Sequence, residues 1–446
     1  MTASKIDCDL LIEAGWVVPV APKGVVLLAH SVAIKQGRIL ALMQHAQARN
    51  TFNAKEIVSR PDAVLLPGLI NAHTHNAMSL MRGCADDLAL MSWLQNHIWP
   101  IENAIMGPAY VADGCELAVA EMLRSGTTCC NENYFFPDAQ AATYQRLGFR
   151  ATIGLPIIEF PSAWAKTTDQ YFDKACEVHD QWREHQLIKT AFAPHAPYTV
   201  SDSSFERIAM LAEQLDIPVH CHVHETAQEI IDSQKQFKQR PLARLDRLGI
   251  VTERLIAVHM TQLNAEEIAL CAKRGVGVVH CPQSNLKLAS GFAPIEALRR
   301  AGVSIAIGTD GCASNNDLDM FDELRTAALL AKAVANDATA MDAHSALYAA
   351  TLGAASVLGR EQEIGSVEVG KQADLICVDM AEVETQPMYD PVSHLVYAVN
   401  RQQVRDVWIA GKAKMIDRQL TDIDLPALLH KARTWGEKIA AIGRTA

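Results

Sequence analysis

Between residues 65 and 310, short apolar runs alternate with longer stretches whose apolar side chains recur at helical spacing. The short runs are rich in β-branched residues and are candidate strands, whereas the longer stretches are candidate amphipathic helices. Strand and helix units that repeat in this order build a parallel sheet covered by helices. The candidate strands are AVLLPGLINAH, GTTCCNENY, FRATIGLPII, LIKTAFAPH, IPVHCHVHE, RLIAVHM, GVGVVHCP and VSIAIGTD. This succession predicts an α/β fold, a closed (β/α)8 barrel of the TIM type over residues 65–365.

The two ends of the chain have a different pattern, with short candidate strands joined by glycine-containing turns. Neither end alone has enough strands to bury a sheet face, so we expect both to pair in one small β-sandwich domain. Residues 1–64 would form its N-terminal part and residues 366–446 its C-terminal part. Within the latter, LPALLHKARTWGEKIAAIG has helical spacing and predicts a helix docked on the surface.

Composition narrows the classes of function. The chain has 446 residues, 49% of them hydrophobic, which provides for a large core. Its formal net charge of −11 argues against a nucleic-acid partner, because phosphate binding needs clustered lysine and arginine. No run approaches the ~18 apolar residues of a membrane span. The start, MTASKIDCDL, lacks a signal-peptide pattern, so we expect a cytoplasmic protein with a small-molecule partner, for which a homo-oligomer is allowed.

The run LLPGLINAHTHN places His73 and His75 two residues apart at the end of a candidate strand. In an extended strand, side chains at positions i and i+2 point to the same side, so both imidazoles can reach one metal ion. A pair of partly exposed loop histidines is the alternative interpretation. The positions of the other polar residues decide between the two.

In a (β/α)8 barrel the chemistry lies at the C-terminal ends of the strands. The predicted strands of this chain carry ionisable side chains at those ends and few earlier along each strand. Histidines without a function would not concentrate there. The strand-end residues are His75, His195, His222 with Glu225, His259, His280 and Asp310.

Imidazoles combined with a carboxylate and an open position for water suit Zn²⁺ or another borderline divalent ion. In IPVHCHVHE, His222 is favoured as the ligand because Glu225 then lies just past the strand end. Asp310 is a candidate ligand and proton acceptor, and Glu225 is a candidate carrier of a proton to the substrate. His259, if it is not itself a ligand, would hydrogen-bond the attacking oxygen.

Other metal signatures are missing from the sequence. There is no H-E-x-x-H, and no P-C-x-x-C accompanies an H-x-E. The sequence therefore indicates neither a zincin protease nor a polynucleotide-type zinc deaminase.

These motifs resemble the amidohydrolase superfamily, and the resemblance covers essentially the whole chain, including VEVGKQADLICVD near its end. It implies a proton shuttle at Glu225 and a histidine near the water at His259. Binuclear members have a modified lysine at the end of strand four, where this chain has His195 and places Lys189 at the strand's start. The resemblance therefore implies a single metal ion. The ligands implied by the deaminase branch are His73, His75, His222 and Asp310.

Three further stretches, LALMSWLQNHIWPIEN, APHAPYTVS and SNLKLASG, resemble methylthioadenosine/S-adenosylhomocysteine deaminases. The resemblance implies that Glu102 binds the ribose hydroxyls and that His195 contacts the nucleoside. A carboxylate is well suited to accept two hydroxyl hydrogen bonds. The alternative for Glu102 is a solvated helix charge. Trp93 and Trp99 are candidate parts of an apolar lid over the substrate, or else ordinary packing residues of an amphipathic helix.

Two departures from the resemblance concern substrate range and strand two. Relatives that accept S-adenosylhomocysteine can use arginines after strand three for the amino-acid carboxylate, whereas LPIIEFPSAWAKTTDQYF offers only Lys166. Lysine is a point charge without the bidentate fork, so we expect methylthioadenosine to be the better substrate. Glu132 stands where an aspartate is expected, for a reason that the sequence does not supply.

The sequence leaves three hypotheses. The leading one is metal-dependent hydrolytic deamination of adenine nucleosides, namely methylthioadenosine, S-adenosylhomocysteine or adenosine, to the inosine analogue and ammonia. The second is hydrolysis of another aromatic ring, a guanine, pterin or triazine, which would not need Glu102. The third is a barrel that has lost catalysis and serves as a scaffold, which predicts missing ligands.

Overall fold

The computed structural model describes residues 5–443, so the first four residues of the predicted N-terminal part and the last three of the C-terminal part lie outside it. No helix within the described range has the length and apolar character needed to cross a membrane. The strands are β1 (Ile6–Val17), β2 (Leu27–Lys35), β3 (Arg38–Gln44), β4 (Phe52–Pro67), β5 (Leu69–Thr74), β6 (Thr127–Glu132), β7 (Arg150–Ile157), β8 (Ile188–Pro194), β9 (Val219–Val223), β10 (Leu255–His259), β11 (Gly277–His280), β12 (Ser304–Ile307), β13 (Leu375–Asp379), β14 (Val404–Ile409), β15 (Lys412–Ile416) and β16 (Gln419–Leu420).

The helices lie mainly between the strands from β5 to β12 and after them. They are α1 (His45–Thr51), α2 (Leu90–Trp93), α3 (Trp99–Ile105), α4 (Pro108–Arg124), α5 (Pro137–Leu147), α6 (Thr168–Trp182), α7 (Asp202–Leu215), α8 (Ala227–Phe237), α9 (Pro241–Arg247), α10 (Ala265–Arg274), α11 (Pro282–Lys287), α12 (Ile295–Arg300), α13 (Met320–Ala335), α14 (Ala343–Ala349), α15 (Leu352–Val357), α16 (Pro391–Tyr397) and α17 (Leu425–Gly443). A 3-10 turn spans Asn76–Met81, and a π-helical turn, Leu94–Ile98, joins α2 to α3.

The predicted barrel is confirmed. Strands β5 to β12 form an eight-stranded sheet in chain order, and each pairs in parallel with its neighbour. Beyond the last strand, the backbone N–H of Asp310 donates to the carbonyl of His73 at 3.0 Å, which joins the two edges. Gly308 makes this approach possible, because a Cβ there would lie 2.6 Å from the backbone nitrogen of His73.

The expectation that both chain ends build one β unit is also confirmed. A second eight-stranded sheet has the order β16-β15-β14-β13-β4-β1-β2-β3. Its two halves meet where β13 pairs antiparallel with β4, from Leu375 opposite Pro67 to Asp379 opposite Ala63. The predicted terminal helix is α17, which docks on α4 through a hydrogen bond from Trp435 Nε1 to Asp113 Oδ2 at 3.0 Å.

The predicted strand AVLLPGLINAH is in fact two strands. Its first part ends β4 in the sheet of the chain ends, and LINAHT forms β5, the first barrel strand. The break falls at Gly68, where a Cβ would lie 2.1 Å from Oγ1 of Thr128. A continuous apolar run hid this change of sheet, because the residues on both sides of the glycine are buried.

Candidate active site

The C-terminal ends of the barrel strands bring together the histidines and the aspartate that the sequence singled out. Oδ1 of Asp310 lies 3.3 Å from Nε2 of His73 and 3.2 Å from Nε2 of His75. From β9, Nε2 of His222 lies 3.2 Å from Nε2 of His73. These atoms surround one common point: those of His73, His75 and Asp310 lie within 4.8 Å of one another, and nitrogens of His73, His222 and His259 do so as well.

Backbone carbonyls determine which ring nitrogen of two of these histidines carries the proton. Nδ1 of His75 donates to the carbonyl of Asn133, and Nδ1 of His222 donates to the carbonyl of His195 at 2.7 Å. With Nδ1 protonated, the neutral form of each ring presents the lone pair of its Nε2 atom to the common point. Carbonyl partners of this kind are the usual support of metal-ligating histidines.

The electrostatics of the cluster also fit a cation. Burial lowers the pKa of His73 to about 4 and the pKa of His222 well below its usual range, so both rings are neutral donors of a lone pair. Burial also opposes a charge on His75, but its hydrogen bond to Asp310 raises its pKa to about 9. The buried carboxylate of Asp310 thus attracts one positive charge to this point, a requirement that a metal ion satisfies.

The backbone at the ends of two strands is bent into the left-handed region. The φ angle is +75° at His259 and +65° at Asp310, conformations that are unfavourable for non-glycine residues. Ser284 and the following turn hold Asp310 in place: Oγ of Ser284 donates to its Oδ2 at 2.7 Å, and the N–H of Gly311 donates to its Oδ1 at 2.8 Å.

Glu225 and His259 lie beside the cluster, with Oε2 of Glu225 at 3.9 Å from Nε2 of His259. Nδ1 of His259 donates to Oδ1 of Asn285 at 2.9 Å. Nitrogen atoms of His259, His73 and His222 are also close enough to share an ion, so the geometry allows His259 either of its expected roles. Burial, with the charge of Asp310, raises the pKa of Glu225 to about 8.

The remaining histidines of this region support the site or lie apart from it. Nε2 of His220 lies 2.8 Å from Nδ1 of His73. His224, at φ +56°, leaves the strand and accepts a hydrogen bond from the N–H of Leu242 at 3.0 Å. His280 is buried, and within residues 5–443 neither of its ring nitrogens has a hydrogen-bond partner.

A cavity of about 700 Å³ extends from the cluster. Its inner end is lined by His75, His222, Glu225, His259 and Asp310, and the rest of its wall includes Trp93, Trp99, Glu102, Tyr134, Phe160, Lys166 and His195. All the sequence-predicted site residues except His73 therefore face one space. His73 lies behind this wall and is fully buried.

Glu102 lies in the first turn of α3 and is only 8% exposed, which excludes a solvated helix charge. Its Oε1 accepts a hydrogen bond from the hydroxyl of Tyr134 at 2.5 Å. Burial raises the pKa of Glu102 to about 7. A desolvated carboxylate in a cavity wall needs polar partners.

The other end of the barrel shows where the resemblance to binuclear enzymes fails. Lys189 lies near the start of β8 and lines a different cavity, together with Arg254 and Glu253. His195 directly follows the end of the same strand and lines the active-site cavity. The strand thus offers no lysine to the cluster.

Comparison with known proteins now adds to this geometry. A model of the amidohydrolase family matches residues 64–414. The chain belongs to this family. It is 47% identical over 433 residues to a 5-methylthioadenosine/S-adenosylhomocysteine deaminase of Teredinibacter turnerae, an alignment that covers 97% of this chain and 98% of the relative.

Solved structures agree with the assignment to the amidohydrolases. The crystal structure of an adenosine deaminase from Xanthomonas campestris with bound zinc is 64% identical, with a TM-score of 0.98 over 98% of this chain and 100% of that one. An atrazine chlorohydrolase from Arthrobacter aurescens, solved with zinc, is 23% identical with a TM-score of 0.89, over 96% of this chain and 100% of that one. The latter likeness concerns the fold alone.

Several site residues of this amidohydrolase were missed by the sequence analysis. Ser284 and Asn285 lie in SNLKLASG, which was noted only for its resemblance, and nothing local marks them as partners of Asp310 and His259. Tyr134 follows the end of β6 in a stretch noted only for Glu132. The position of Tyr134 just past the end of a barrel strand was the signal that could have identified it as a site residue.

The structure shows the role of the Glu132 carboxylate, and nothing in it explains the glutamate in place of an aspartate. Its carboxylate accepts hydrogen bonds from the N–H of Asn76 at 3.1 Å and from the hydroxyl of Tyr144 at 3.0 Å. Asn76 begins the 3-10 turn directly after His75. Glu132 thus holds the turn that follows one of the clustered histidines.

Proposed function

We propose that this amidohydrolase deaminates adenine nucleosides by hydrolysis, with 5'-methylthioadenosine as its best substrate. Water replaces the exocyclic amino group at C6 of the purine, ammonia leaves, and the inosine analogue forms. The observation that carries this proposal is a single cavity with two chemically distinct parts. Its inner end holds the histidine and aspartate cluster with Glu225, and its wall holds the buried carboxylate of Glu102.

The residues of the cluster fit one divalent metal ion, for which we propose Zn²⁺. When bound, such an ion supplies Lewis-acid activation of water for attack on the purine ring. Two observations support this choice. The carbonyl partners of His75 and His222 turn the Nε2 atoms of both rings inward, and the carboxylate of Asp310 attracts a positive charge. The proposed ligands are His73, His75, His222 and Asp310.

Glu225 and His259 are proposed to handle protons and charge. With its pKa raised to about 8, Glu225 carries a proton at neutral pH and can deliver it to a ring nitrogen of the purine. It then regains a proton from the attacking water and passes it to the leaving amine. The second proton of that water restores Glu225 as the carbonyl at C6 forms. His259, fixed by Asn285, is placed to hydrogen-bond the attacking oxygen.

The rest of the cavity wall is proposed to bind the nucleoside. Glu102 would accept hydrogen bonds from the two ribose hydroxyls, and His195 would contact the nucleoside. The indoles of Trp93 and Trp99 would form apolar walls for the purine and thioether. Trp99 also packs against Phe160, with ring centroids 6.4 Å apart.

The preference for methylthioadenosine over S-adenosylhomocysteine is proposed from the cations near the cavity. Lys166 lines the cavity, but its Nζ donates to the carbonyl of Ser162 at 2.7 Å. No arginine lines this cavity within residues 5–443. An amino-acid carboxylate would therefore lack a bidentate partner, whereas a methylthio group needs only the apolar wall.

We also propose a cytoplasmic location. The cysteines are free thiols, and most of them are buried. Free thiols in this number are typical of a reducing compartment.

An absorbance assay tests the function. Zinc-loaded protein is mixed separately with methylthioadenosine, S-adenosylhomocysteine, adenosine, guanine and a triazine. We expect the spectral shift of adenine deamination with the nucleosides, fastest with methylthioadenosine. Turnover of guanine or the triazine alone would overturn the proposal, and equal or faster turnover of S-adenosylhomocysteine would overturn the preference.

Glu102→Ala separates the nucleoside hypothesis from the other ring substrates. We expect it to weaken nucleoside turnover strongly, because the diol loses its acceptor. An enzyme for a free base or a triazine has no ribose to bind, so its activity would barely change. Absence of all activity after zinc or manganese is restored would instead favour a scaffold.

A further inference from the structure

Three consecutive residues at the end of β6 contact both parts of the cavity. Glu132 holds the turn after His75, and the carbonyl of Asn133 accepts the Nδ1 proton of His75. The hydroxyl of Tyr134 donates to Glu102. One short piece of backbone therefore connects the histidine and aspartate cluster with the proposed ribose-binding carboxylate.

Tyr134 is buried on the cluster side. Its side chain is 5% exposed, and its ring centroid lies 6.2 Å from the ring centroid of His75. Burial keeps the pKa of Tyr134 well above its usual range, so the hydroxyl remains a donor. Phe135 packs beside it, with ring centroids 5.7 Å apart.

Glu102 depends on this one contact. Within residues 5–443, the hydroxyl of Tyr134 donates the one hydrogen bond that the carboxylate of Glu102 accepts. The glutamate side chain has three rotatable bonds, and in the described part of the chain this hydrogen bond is the one that fixes where its oxygens point. Each carboxylate oxygen has two acceptor positions, so Tyr134 occupies one and leaves the others for hydroxyl groups.

We propose that Tyr134 is a positioning residue of the nucleoside site, whose hydroxyl orients the carboxylate of Glu102 toward the vicinal diol of the ribose. This inference rests on the proposed function. Because Asn133 is bonded to His75, the same strand end sets the distance from the diol-binding oxygens to the point where C6 reacts. Tyr134 acts through Glu102 and touches no reacting atom.

The test is Tyr134→Phe, assayed with methylthioadenosine and with its 2',3'-dideoxy analogue. A hydrogen bond to a charged group contributes ~10- to 100-fold in an equilibrium constant. We expect KM for methylthioadenosine to rise about tenfold, at the lower end of that range, with kcat within about twofold of wild type. The dideoxy analogue has no diol, so its KM should not change. The ratio of the KM values for the two substrates, measured in one preparation, does not depend on the fraction of folded protein.

Tyr144→Phe is the matched control, because it removes a hydroxyl that is buried in the same way and bonded to a different carboxylate, Glu132. The ratio of the KM values for the two substrates should be the same in Tyr144→Phe as in the wild type. A double-mutant cycle adds a second measurement: in the Glu102→Ala background, Tyr134→Phe should have no further effect on KM.

The outcomes separate this inference from the proposed function. An unchanged ratio for Tyr134→Phe, or an equal loss with the dideoxy analogue, would overturn the role of Tyr134. An additive effect in the double mutant would overturn it as well. A wild-type enzyme that deaminates no nucleoside would overturn the proposed function instead.

Discussion

Glu225 and Asp310 face the same cavity, but their surroundings push their pKa values in opposite directions. Burial and the charge of Asp310 raise the pKa of Glu225 to about 8. Burial disfavours the charge of Asp310 too, but hydrogen bonds with His73 and His75 lower its pKa well below the usual range. Carboxyl groups separated in this way serve as the acid and as the permanently charged group of one site.

Replacing Glu225 tests its role as proton carrier. We expect Glu225→Gln to lower kcat by about 10²- to 10⁴-fold, the usual contribution of a general acid or base. The zinc content should not change, because Glu225 is not a proposed ligand. Steady-state kinetics and metal analysis of the same sample check both statements. The exposed Glu253, which lines the other cavity, is the control, and Glu253→Gln should retain wild-type kcat. Loss of zinc from Glu225→Gln would show that the proton role is wrongly assigned.

Glu102 predicts a pH dependence of substrate binding. Its pKa is raised to about 7 by burial, so the carboxylate is ionised above that pH and protonated below it. The ionised form accepts hydroxyl hydrogen bonds more strongly than the protonated form, which carries a donor of its own. We therefore expect KM for methylthioadenosine to rise as the pH falls through 7. The 2',3'-dideoxy analogue measured in parallel should show no such rise, and the same rise with both substrates would contradict the assignment.

At the scale of the element, the strand ends carry most of the site, and short turns fix its details. The turn that begins at Asn76 depends on Glu132, whose carboxylate is fully buried. The π-helical turn between α2 and α3 is a second such detail. Trp93 precedes it and Trp99 follows it, and both indoles line the cavity. Helical spacing in the sequence did not reveal this widened turn, because π turns are rare and occur as single-turn bulges within α-helices.

The turn after His75 gives the next prediction. Glu132→Ala leaves the buried N–H of Asn76 without an acceptor, a cost of about 1–3 kcal/mol. The hydroxyl of Tyr144 keeps only Sγ of Cys115, a weaker acceptor. We also expect weaker zinc binding, by roughly 10- to 100-fold, because support of the proposed ligand His75 is lost. Thermal melting and a competition titration with a zinc chelator measure the two effects.

Glu132→Gln is the comparison for this prediction. Its amide keeps one acceptor oxygen, so both losses should be smaller than those of Glu132→Ala. If Glu132→Ala bound zinc as tightly as the wild type, the turn would not depend on this carboxylate. Glu132→Asp introduces the aspartate expected at this position. Its losses of stability and of zinc binding should lie between those of Glu132→Gln and Glu132→Ala.

At the scale of the whole molecule, the barrel and the sheet of the chain ends are joined by a buried ion pair. Nε of Arg150, on β7, lies 2.5 Å from Oδ2 of Asp374, which directly precedes β13. The side chains are 1% and 3% exposed. Asp374 also accepts a hydrogen bond from the N–H of Ala410 at 2.7 Å, so its charge is shared between the two units.

Breaking this pair should destabilise the protein without changing its chemistry. Removing one partner of a buried pair costs about 3–5 kcal/mol, because the other charge is left buried. We expect Arg150→Met to lower the melting temperature clearly while the zinc-loaded enzyme keeps wild-type kcat at 25 °C. Arg183 is the control, since its ion pair with Asp180, at 3.5 Å, is exposed. Arg183→Met should change stability by less than about 0.5 kcal/mol, and an equal loss in both variants would contradict the prediction.

Much of the fold was predictable because it follows from local periodicity. The alternation of strands and helices predicted the barrel, and the incomplete end patterns predicted a shared β unit. The change of sheet at Gly68 was not predictable, because it depends on the side chain of Thr128. The burial of Glu102 also depends on distant contacts, since its partner Tyr134 is 32 residues away.

By itself, the sequence determined which chemistry the protein could assemble. Side chains two apart on a strand, and ionisable residues at strand ends, are local properties that any reader of the chain can locate. The tertiary structure alone decided which nitrogen of each histidine faces the common point and which carboxylate keeps its proton. His73 and His222 are 149 residues apart, and their separation, burial and hydrogen bonds exist only once the barrel has closed.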